Sequence, residues 1–400
     1  MRDYGPYGVV HKWPDVDSVL ASRSFGEGVH SIGPDHAPLD ILVSGDALNP
    51  ALGSGVPVFL SGALSQRGGT TGPYFSGRRM GQRLGTGFIS VSDPTLYLDD
   101  ELTLSWYSGA LNGGLQEALA TVLKHFAQVS GRDLLVIGGS GGGYASLVTA
   151  ATAGLSSFVW NPQTDVLAYE PGTVARYVGV VAPQVLGRPR EEIRVALQRG
   201  GITTEVLSGR LPKRLLYLQN ASDWHVQGHA VPFIERHALR HQGQGRYSSR
   251  PEVVMQLGDF GVGHAPPPQQ LLERAVTLML HPRRTVWDVV HDLQRDDAFP
   301  QVDEGTLPAD LRGLLDHEQP QLQTDWSESA PRAWVTWPAG MRGNPRYQFH
   351  LYSRGERILA SAMQDSPVFA NDLILDADHV RCLVKDGFGH VLPQLFVSRP

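Results

Sequence analysis

Leu134-Leu-Val-Ile-Gly-Gly-Ser140-Gly-Gly-Gly-Tyr144 is the stretch whose reading decides the fold. Four apolar residues run directly into Gly-x-Ser-x-Gly, and a helical pattern follows over Tyr144 to Ala153. The order reads as strand, sharp turn and helix, with a serine at the turn. Such a turn holds the serine in a strained backbone conformation and lifts its hydroxyl clear of the sheet edge. Gly138 and Gly142 flank it because side chains there collide as strand and helix close up. Ser140 is therefore the nucleophile candidate. In a chain with 45 glycines the motif alone is weakly specific, and the strand before it and the helix after it raise it above chance.

Upstream of this stretch, Leu115, Leu119, Val122, Leu123 and Phe126 recur at helical spacing, and Gly131 closes that helix. Ile41-Leu-Val43, Val56-Pro-Val-Phe-Leu60, Gly87-Phe-Ile-Ser-Val91 and Leu102-Thr-Leu-Ser-Trp106 read as strands. Downstream, Ser156 to Trp160, Leu215 to Leu218 and Val253 to Leu257 read as strands, and Glu191 to Gln198 and Pro268 to Leu280 as helices. Strands alternating with helices predict an α/β fold: a doubly wound, mostly parallel sheet of the α/β-hydrolase-like kind. Residues 1–35 read as an irregular N-terminal extension with at most one early strand, and 36–285 as the catalytic domain with a cap inserted at about 163–212. Residues 286–333, polar and acidic with several prolines, read as a linker. Residues 334–400 read as an antiparallel β-module, because the period becomes two: Tyr347, Phe349 and Leu351 share a face, as do Val380, Cys382 and Val384. Asp386-Gly-Phe-Gly389 reads as a turn within it. The module reads equally as an extension packed on the first domain or as a contact surface for protein or glycan.

Composition sets the class. The chain has 400 residues, 41% hydrophobic and 18% charged, which fits a globular protein. A formal net charge of −6 gives no reason to expect a nucleic-acid partner. The lone cysteine, Cys382, excludes an internal disulfide and fits a reducing compartment. The opening residues lack the apolar run of a signal peptide, and no apolar stretch is long enough to span a bilayer. A cytoplasmic location is the expectation, with neither cofactor nor metal called for.

A serine hydroxyl is a poor nucleophile until a base takes its proton, and an acid must orient that base. On α/β-hydrolase scaffolds the partners follow in the order serine, acid, histidine. Leu215-Leu-Tyr-Leu-Gln-Asn220 is followed by Ala-Ser-Asp223-Trp-His225, so an acid lies just past a strand end. The next strand leads into Gly258-Asp-Phe-Gly-Val-Gly-His264, a histidine in a Gly-rich loop. The predicted triad is Ser140, Asp223 and His264, with Asp259 and His225 as the nearest substitutes and Asp165 as a weaker acid. Asp223 also reads as a helix cap and His264 as an ordinary loop histidine. The run His225, His229, His237 and His241 has metal-like spacing, but Pro232 breaks its face. The oxyanion donors are predicted to be the N–H groups of Gly141 and, after the strand Val56 to Leu60, of Ala63. Arg67, Arg78 and Arg79, in a flexible basic loop, are the candidates for meeting an anionic substrate group, or are a solvated surface.

Five segments carry a family resemblance: Ile89-Ser-Val-Ser-Asp-Pro-Thr95, Gly138-Gly-Ser-Gly-Gly-Gly-Tyr144, Trp160-Asn-Pro-Gln163, Tyr217-Leu-Gln-Asn-Ala-Ser-Asp-Trp-His225 and Gly261-Val-Gly-His264. Over about residues 55 to 280 the chain resembles a group of bacterial α/β-hydrolase-like proteins found near surface-glycan and capsule biosynthesis functions. It is distantly similar to the O-acetyltransferase of the accessory secretion system, and departs from these in its triple-Gly turn. The resemblance implies nucleophile, acid and base at Ser140, Asp223 and His264, and a glycan or glycoconjugate ester as substrate. The expectation is therefore a serine esterase or O-acyltransferase working through an acyl-enzyme. A reading from another class is a catalytically silent scaffold that binds glycan or protein partners.

Overall fold

The computed structural model describes residues 2–52, 55–64, 67, 70–206, 210–295, 299–304, 307, 311, 321–336, 345–385 and 395–399. They group into two compact units, Met1–Ala238 with Glu252–Thr306, and Leu239–Pro251 with Leu307–Pro400. The predicted turn Asp386 to Gly389 lies outside the described residues.

The first unit begins β1 (Val10–Trp13), α1 (Val16–Ala21), β2 (Gly28–Ile32), β3 (Leu39–Ser44), β4 (Val56–Leu60), α2 (Arg78–Leu84), β5 (Phe88–Ser92) and α3 (Leu115–Ser130). It continues with β6 (Leu134–Gly139), α4 (Ser140–Ala153), β7 (Ser156–Trp160), α5 (Pro171–Val181), α6 (Arg190–Arg199), β8 (Leu215–Asn220) and α7 (Val231–Arg236). After β9 (Arg240–His241) and β10 (Arg246–Arg250), which belong to the second unit, it resumes with β11 (Val253–Gly258), α8 (Gln269–Met279) and α9 (Val286–Arg295). Its strands run in the order β1-β2-β3-β5-β4-β6-β7-β8-β11. From β5 to β11 every neighbouring pair is parallel, whereas β3 is antiparallel to both β2 and β5.

Alternation explains why the central strands are apolar throughout. In β6, Leu134 and Val136 face a layer formed with Val19 of α1, Leu119 and Val122 of α3 and Ala150 of α4. Leu135 and Ile137 face the opposite layer, formed with Leu271, Leu272 and Val276 of α8 and Val286, Val289 and Val290 of α9. A sheet covered on both sides has no polar face to show.

Three expectations need correction. Residues 1–35 are no irregular extension: β1 and β2 are integral to the sheet. Only Val29 and Ile32 of β2 are large apolar residues, so its sequence signal is faint. The expected linker begins with α9, whose Val286, Val289, Val290 and Leu293 are buried at helical spacing. Leu102 to Trp106 is not a strand. Asp93, wholly buried, accepts from Ser105 Oγ at 2.8 Å and from Tyr107 N at 2.7 Å. Trp106 and Tyr107 sit at φ 54° and 55°, which turns the segment back on itself. The alternation of Leu102, Leu104 and Trp106 records burial without strand pairing.

In the second unit, β12 (Gln321–Asp325), β13 (Arg332–Thr336), β14 (Arg346–Ser353), β15 (Glu356–Ala360), β16 (Val368–Ala370), β17 (His379–Lys385) and β18 (Leu395–Ser398) form two antiparallel sheets, β12-β13-β16 and β15-β14-β17-β18. Ala333 and Val335 of β13 share a core with Tyr347, Phe349 and Leu351 of β14 and Val380, Cys382 and Val384 of β17.

Candidate active site

Ser140 is the first residue of α4 and follows β6 without a spacer. Its φ is 53°, a left-handed conformation that a serine adopts at a cost of about 1–3 kcal/mol. The glycines around it are there for space. A Cβ on Gly138 would lie 2.3 Å from Gly142 O, one on Gly142 2.6 Å from Leu60 O, and one on Gly143 2.6 Å from Pro162 Cβ. A Cβ on Gly141 would lie 2.4 Å from Leu104 Cδ1, so the folded-back segment covers the residue after the serine.

The loop after β4 runs beside this turn. A Cβ on Gly62 would lie 3.1 Å from Gly139 O and 3.9 Å from Ser140 Cβ. Ser61 anchors the loop, its N–H donating to Tyr107 Oη at 2.8 Å, while Tyr107 Oη donates to Val91 O at 2.8 Å. Ala63 follows Gly62 and is exposed.

Asp223 and His264 meet. His264 Nδ1 donates to Asp223 Oδ2 at 2.7 Å, while Asp223 Oδ1 accepts the His225 N–H at 3.0 Å. Asp223 is buried, whereas the His264 side chain is 34% exposed. Because Nδ1 carries the proton toward the carboxylate, Nε2 presents a lone pair. The loop bearing His264 is tied down by side chains from neighbouring strand ends. Asn220 Nδ2 donates to Gly261 O at 2.7 Å and to Gly263 O at 2.6 Å, and Asn220 Oδ1 accepts from Phe260 N at 2.9 Å. Ser222 Oγ donates to Gly261 O at 2.7 Å, and Asn161 Nδ2 donates to Ala265 O at 2.8 Å.

His225 is near the pair but differs in chemistry. It is fully buried, its Nδ1–H donates to Asn161 O at 3.2 Å, and its ring packs edge-on to His264 at 4.2 Å between centroids. Loss of solvent pushes its pKa down to about 3 despite the charge of Asp223, with His264 and His229 adding to the fall. It is neutral at pH 7 and has its proton committed to a carbonyl, so it serves poorly as the base. His229 is also buried, and its Nδ1 accepts the Thr164 N–H at 3.2 Å. His225 and His229 meet edge-on at 4.8 Å between ring centroids, whereas His237 packs on Phe233. His241, in the second unit, packs on Tyr247. Among the described residues, ligand-capable atoms of Asp223, His225 and His264 lie within 4.8 Å of one another. The hydrogen bonds above account for that grouping.

The remaining candidates fall elsewhere. Asp165 binds Arg194 at 2.9 Å and also Arg190, and caps the turn at Leu167. Asp259 is exposed and accepts from Gly261 N at 3.3 Å. Arg67 is buried, against the expectation of a basic loop poised for substrate. Its guanidinium donates to Leu96 O, to Asp99 O at 2.5 Å and to Leu102 O at 2.6 Å. It ties the loop together and has almost no donor capacity left for an anion. Arg78 lies over the Tyr7 ring at 4.9 Å, and Arg79 is exposed.

Two polar residues given no role from sequence are central. Asn161 links the end of β8 to the His264 loop, since its Oδ1 accepts from Asn220 N at 2.7 Å while its Nδ2 donates to Ala265 O. Gln163 contacts the serine: Nε2 donates to Ser140 Oγ at 3.1 Å, and Oε1 accepts from Trp106 Nε1 at 2.6 Å. The one signal for either in the sequence is the segment Trp160-Asn-Pro-Gln163 following a central strand.

No protein-family model matches the chain, and no curated protein matches it. Solved structures do. The capsule O-acetyltransferase of Neisseria meningitidis serogroup A is similar at 13% identity and a TM-score of 0.40, covering 66% of this chain and 98% of its own. An acetyl xylan esterase from Aspergillus awamori is similar at 14% identity and a TM-score of 0.36, covering 61% and 96%. An alpha/beta hydrolase from Sphaerobacter thermophilus is similar at 16% identity and a TM-score of 0.31, covering 64% and 96%. Among the described residues no helix is long and apolar enough to cross a membrane.

Proposed function

We propose that the protein is a serine-nucleophile acyl-transfer enzyme. The observation that carries this reading is the His264–Asp223 hydrogen bond at 2.7 Å on loops at the carboxyl ends of β8 and β11, in the same parallel sheet whose β6 ends at the strained Ser140. Asp223 keeps the proton of His264 on Nδ1, so Nε2 takes the Ser140 proton as Oγ attacks an acyl carbonyl. The N–H groups of Gly141 and Ala63 receive the oxyanion. The tetrahedral centre collapses, the leaving oxygen takes the proton from His264, and acyl–Ser140 remains. An incoming hydroxyl, of water or of a sugar, then gives its proton to His264 and attacks the ester; the second tetrahedral centre collapses, and Ser140 Oγ leaves with the proton from His264.

The acyl group's carrier is proposed to be a glycan or glycoconjugate ester. Trp224 supports this: it is 51% exposed between Asp223 and His225, with Tyr169 at 5.5 Å between ring centroids. An aromatic face packed on His225, whose own ring packs on His264, suits the apolar C–H face of a sugar ring. The segment carrying α5 and α6 is proposed as the cap that limits water.

A fluorophosphonate probe tests the reading. Wild type is expected to be labelled on Ser140, and Ser140→Ala to be unlabelled. An unlabelled wild type that retains its fold by circular dichroism sinks the proposal.

A further inference from the structure

We propose that Gln163 is a third donor to the reacting oxygens, and that Trp106 is the positioning residue that fixes which end of its amide faces Ser140. The proposal rests on the acyl-transfer reading above and deepens it.

A glutamine amide can usually be turned end for end, and its orientation is then ambiguous. Here it is not. The indole Nε1–H of Trp106 can only donate, so the group 2.6 Å from it must be the amide oxygen. The –NH2 end is thereby directed at Ser140 Oγ, 3.1 Å away. Gln163 is fully buried, and its own N–H donates to Ser140 O at 3.2 Å, which fixes the backbone beside the turn as well. Trp106 is held in turn by its left-handed φ of 54° and by the Tyr177 ring at 5.1 Å.

The chemistry follows. An N–H directed at Oγ occupies a lone pair of the resting serine without taking its proton, which stays available to His264. When Oγ bonds to the acyl carbon, the negative charge develops on the former carbonyl oxygen, two bonds from Oγ through that carbon, where the second N–H of the same –NH2 group can meet it. A preorganised donor at that point stabilises the charge that develops there.

The test compares Gln163→Glu, Gln163→Leu, Trp106→Phe and the Gln163→Leu/Trp106→Phe double variant with wild type. It reads the fluorophosphonate labelling rate and the kcat and KM for p-nitrophenyl acetate, with melting temperature as a fold check. Gln163→Glu has the same shape and, assayed at rising pH, has no proton to donate once its buried carboxyl ionises. It and Gln163→Leu are expected to lose about 10²- to 10³-fold in kcat and in labelling rate, with KM nearly unchanged. Trp106→Phe is expected to lose about tenfold, and nothing further in the Gln163→Leu background. Wild-type rates in Gln163→Glu, or losses confined to KM or melting temperature, overturn the proposal while Ser140 remains the nucleophile. Equal labelling of wild type and Ser140→Ala overturns both readings. If Gln163→Leu fails to fold, the isosteric Gln163→Glu and the Trp106→Phe variant still decide the matter.

Discussion

The Ser140 turn and the His264 loop lie at ends of strands in one sheet, yet different forces hold them. Around Ser140 the chain is confined by exclusion: carbonyls and side chains fill the space where Cβ atoms would stand at Gly138, Gly141, Gly142 and Gly143. Around His264 the chain is tethered: Asn220, Ser222 and Asn161 reach across from neighbouring strand ends and bind its carbonyls. A confined segment moves only if the core moves with it. A tethered loop can loosen by itself, one hydrogen bond at a time. The Ser140 turn is thus built into the fold, and the His264 loop is hung on the fold.

The largest effect is expected on the tethered side. Asp223→Asn keeps the shape but turns an acceptor-only group into one that also donates, so His264 loses the tautomer with Nδ1–H. Turnover of a model ester should fall about 10⁴-fold with the fold intact. A fall under tenfold would mean that the acid is not needed to orient His264. On the confined side, Gly138→Ala should act through stability. The added methyl meets backbone, which cannot give way, and the cost should reach about 3 kcal/mol in urea unfolding, the upper end for overpacking. Asn220→Ala should separate the two regions most clearly. It cuts three ties to the His264 loop, at Phe260, Gly261 and Gly263, without touching the serine turn. We expect turnover to fall about 10- to 100-fold with little change in fluorescence-detected melting, since a slightly misplaced group costs rate before it costs fold. An Asn220→Ala protein that loses as much stability as Gly138→Ala would erase the distinction.

The same contrast decides what can be read in the sequence. Exclusion writes itself locally: a run of small residues between a strand and a helix marks a place where backbone meets backbone, so Ser140 and the doubly covered β6 are legible. The order of Asp223 and His264 along the chain, each past a strand end, makes their pairing legible too. Tethers are not local. Gln163 is positioned by Trp106, 57 residues away, and neither shows in a window of neighbouring residues. Arg67 misleads for a related reason: charge suggests exposure, but three carbonyls close around it. Leu102 to Trp106 misleads because alternation reports which residues are buried, whereas the buried Asp93 dictates the path. In α9 the apolar stripe is present, but the polar residues between and after it hide the periodicity.

The smallest effect is a pH dependence that touches the tethered side and not the serine turn, since the residues from Gly138 to Gly143 include no side chain that ionises near neutrality. Burial pushes His225 down to about 3 and His229 to about 4, against an ordinary value near 6.5. Both are therefore neutral in the folded chain at pH 5–7, while the unfolded chain takes up protons as pH falls through about 6.5. A depressed folded-state value means that the stability is fully present above about 6.5 and is lost as pH drops toward 4. Each such histidine contributes a slope of at most about 1.4 kcal/mol per pH unit. His225→Gln keeps a donor for Asn161 O and removes one titrating group. Urea unfolding at pH 6.5, 5.8 and 5.0, above the range where carboxylates dominate, should then show a slope shallower by up to one proton. An unchanged slope would mean that His225 takes up its proton in the folded state, and that the second histidine beside Asp223 is a competitor for its charge rather than a neutral wall.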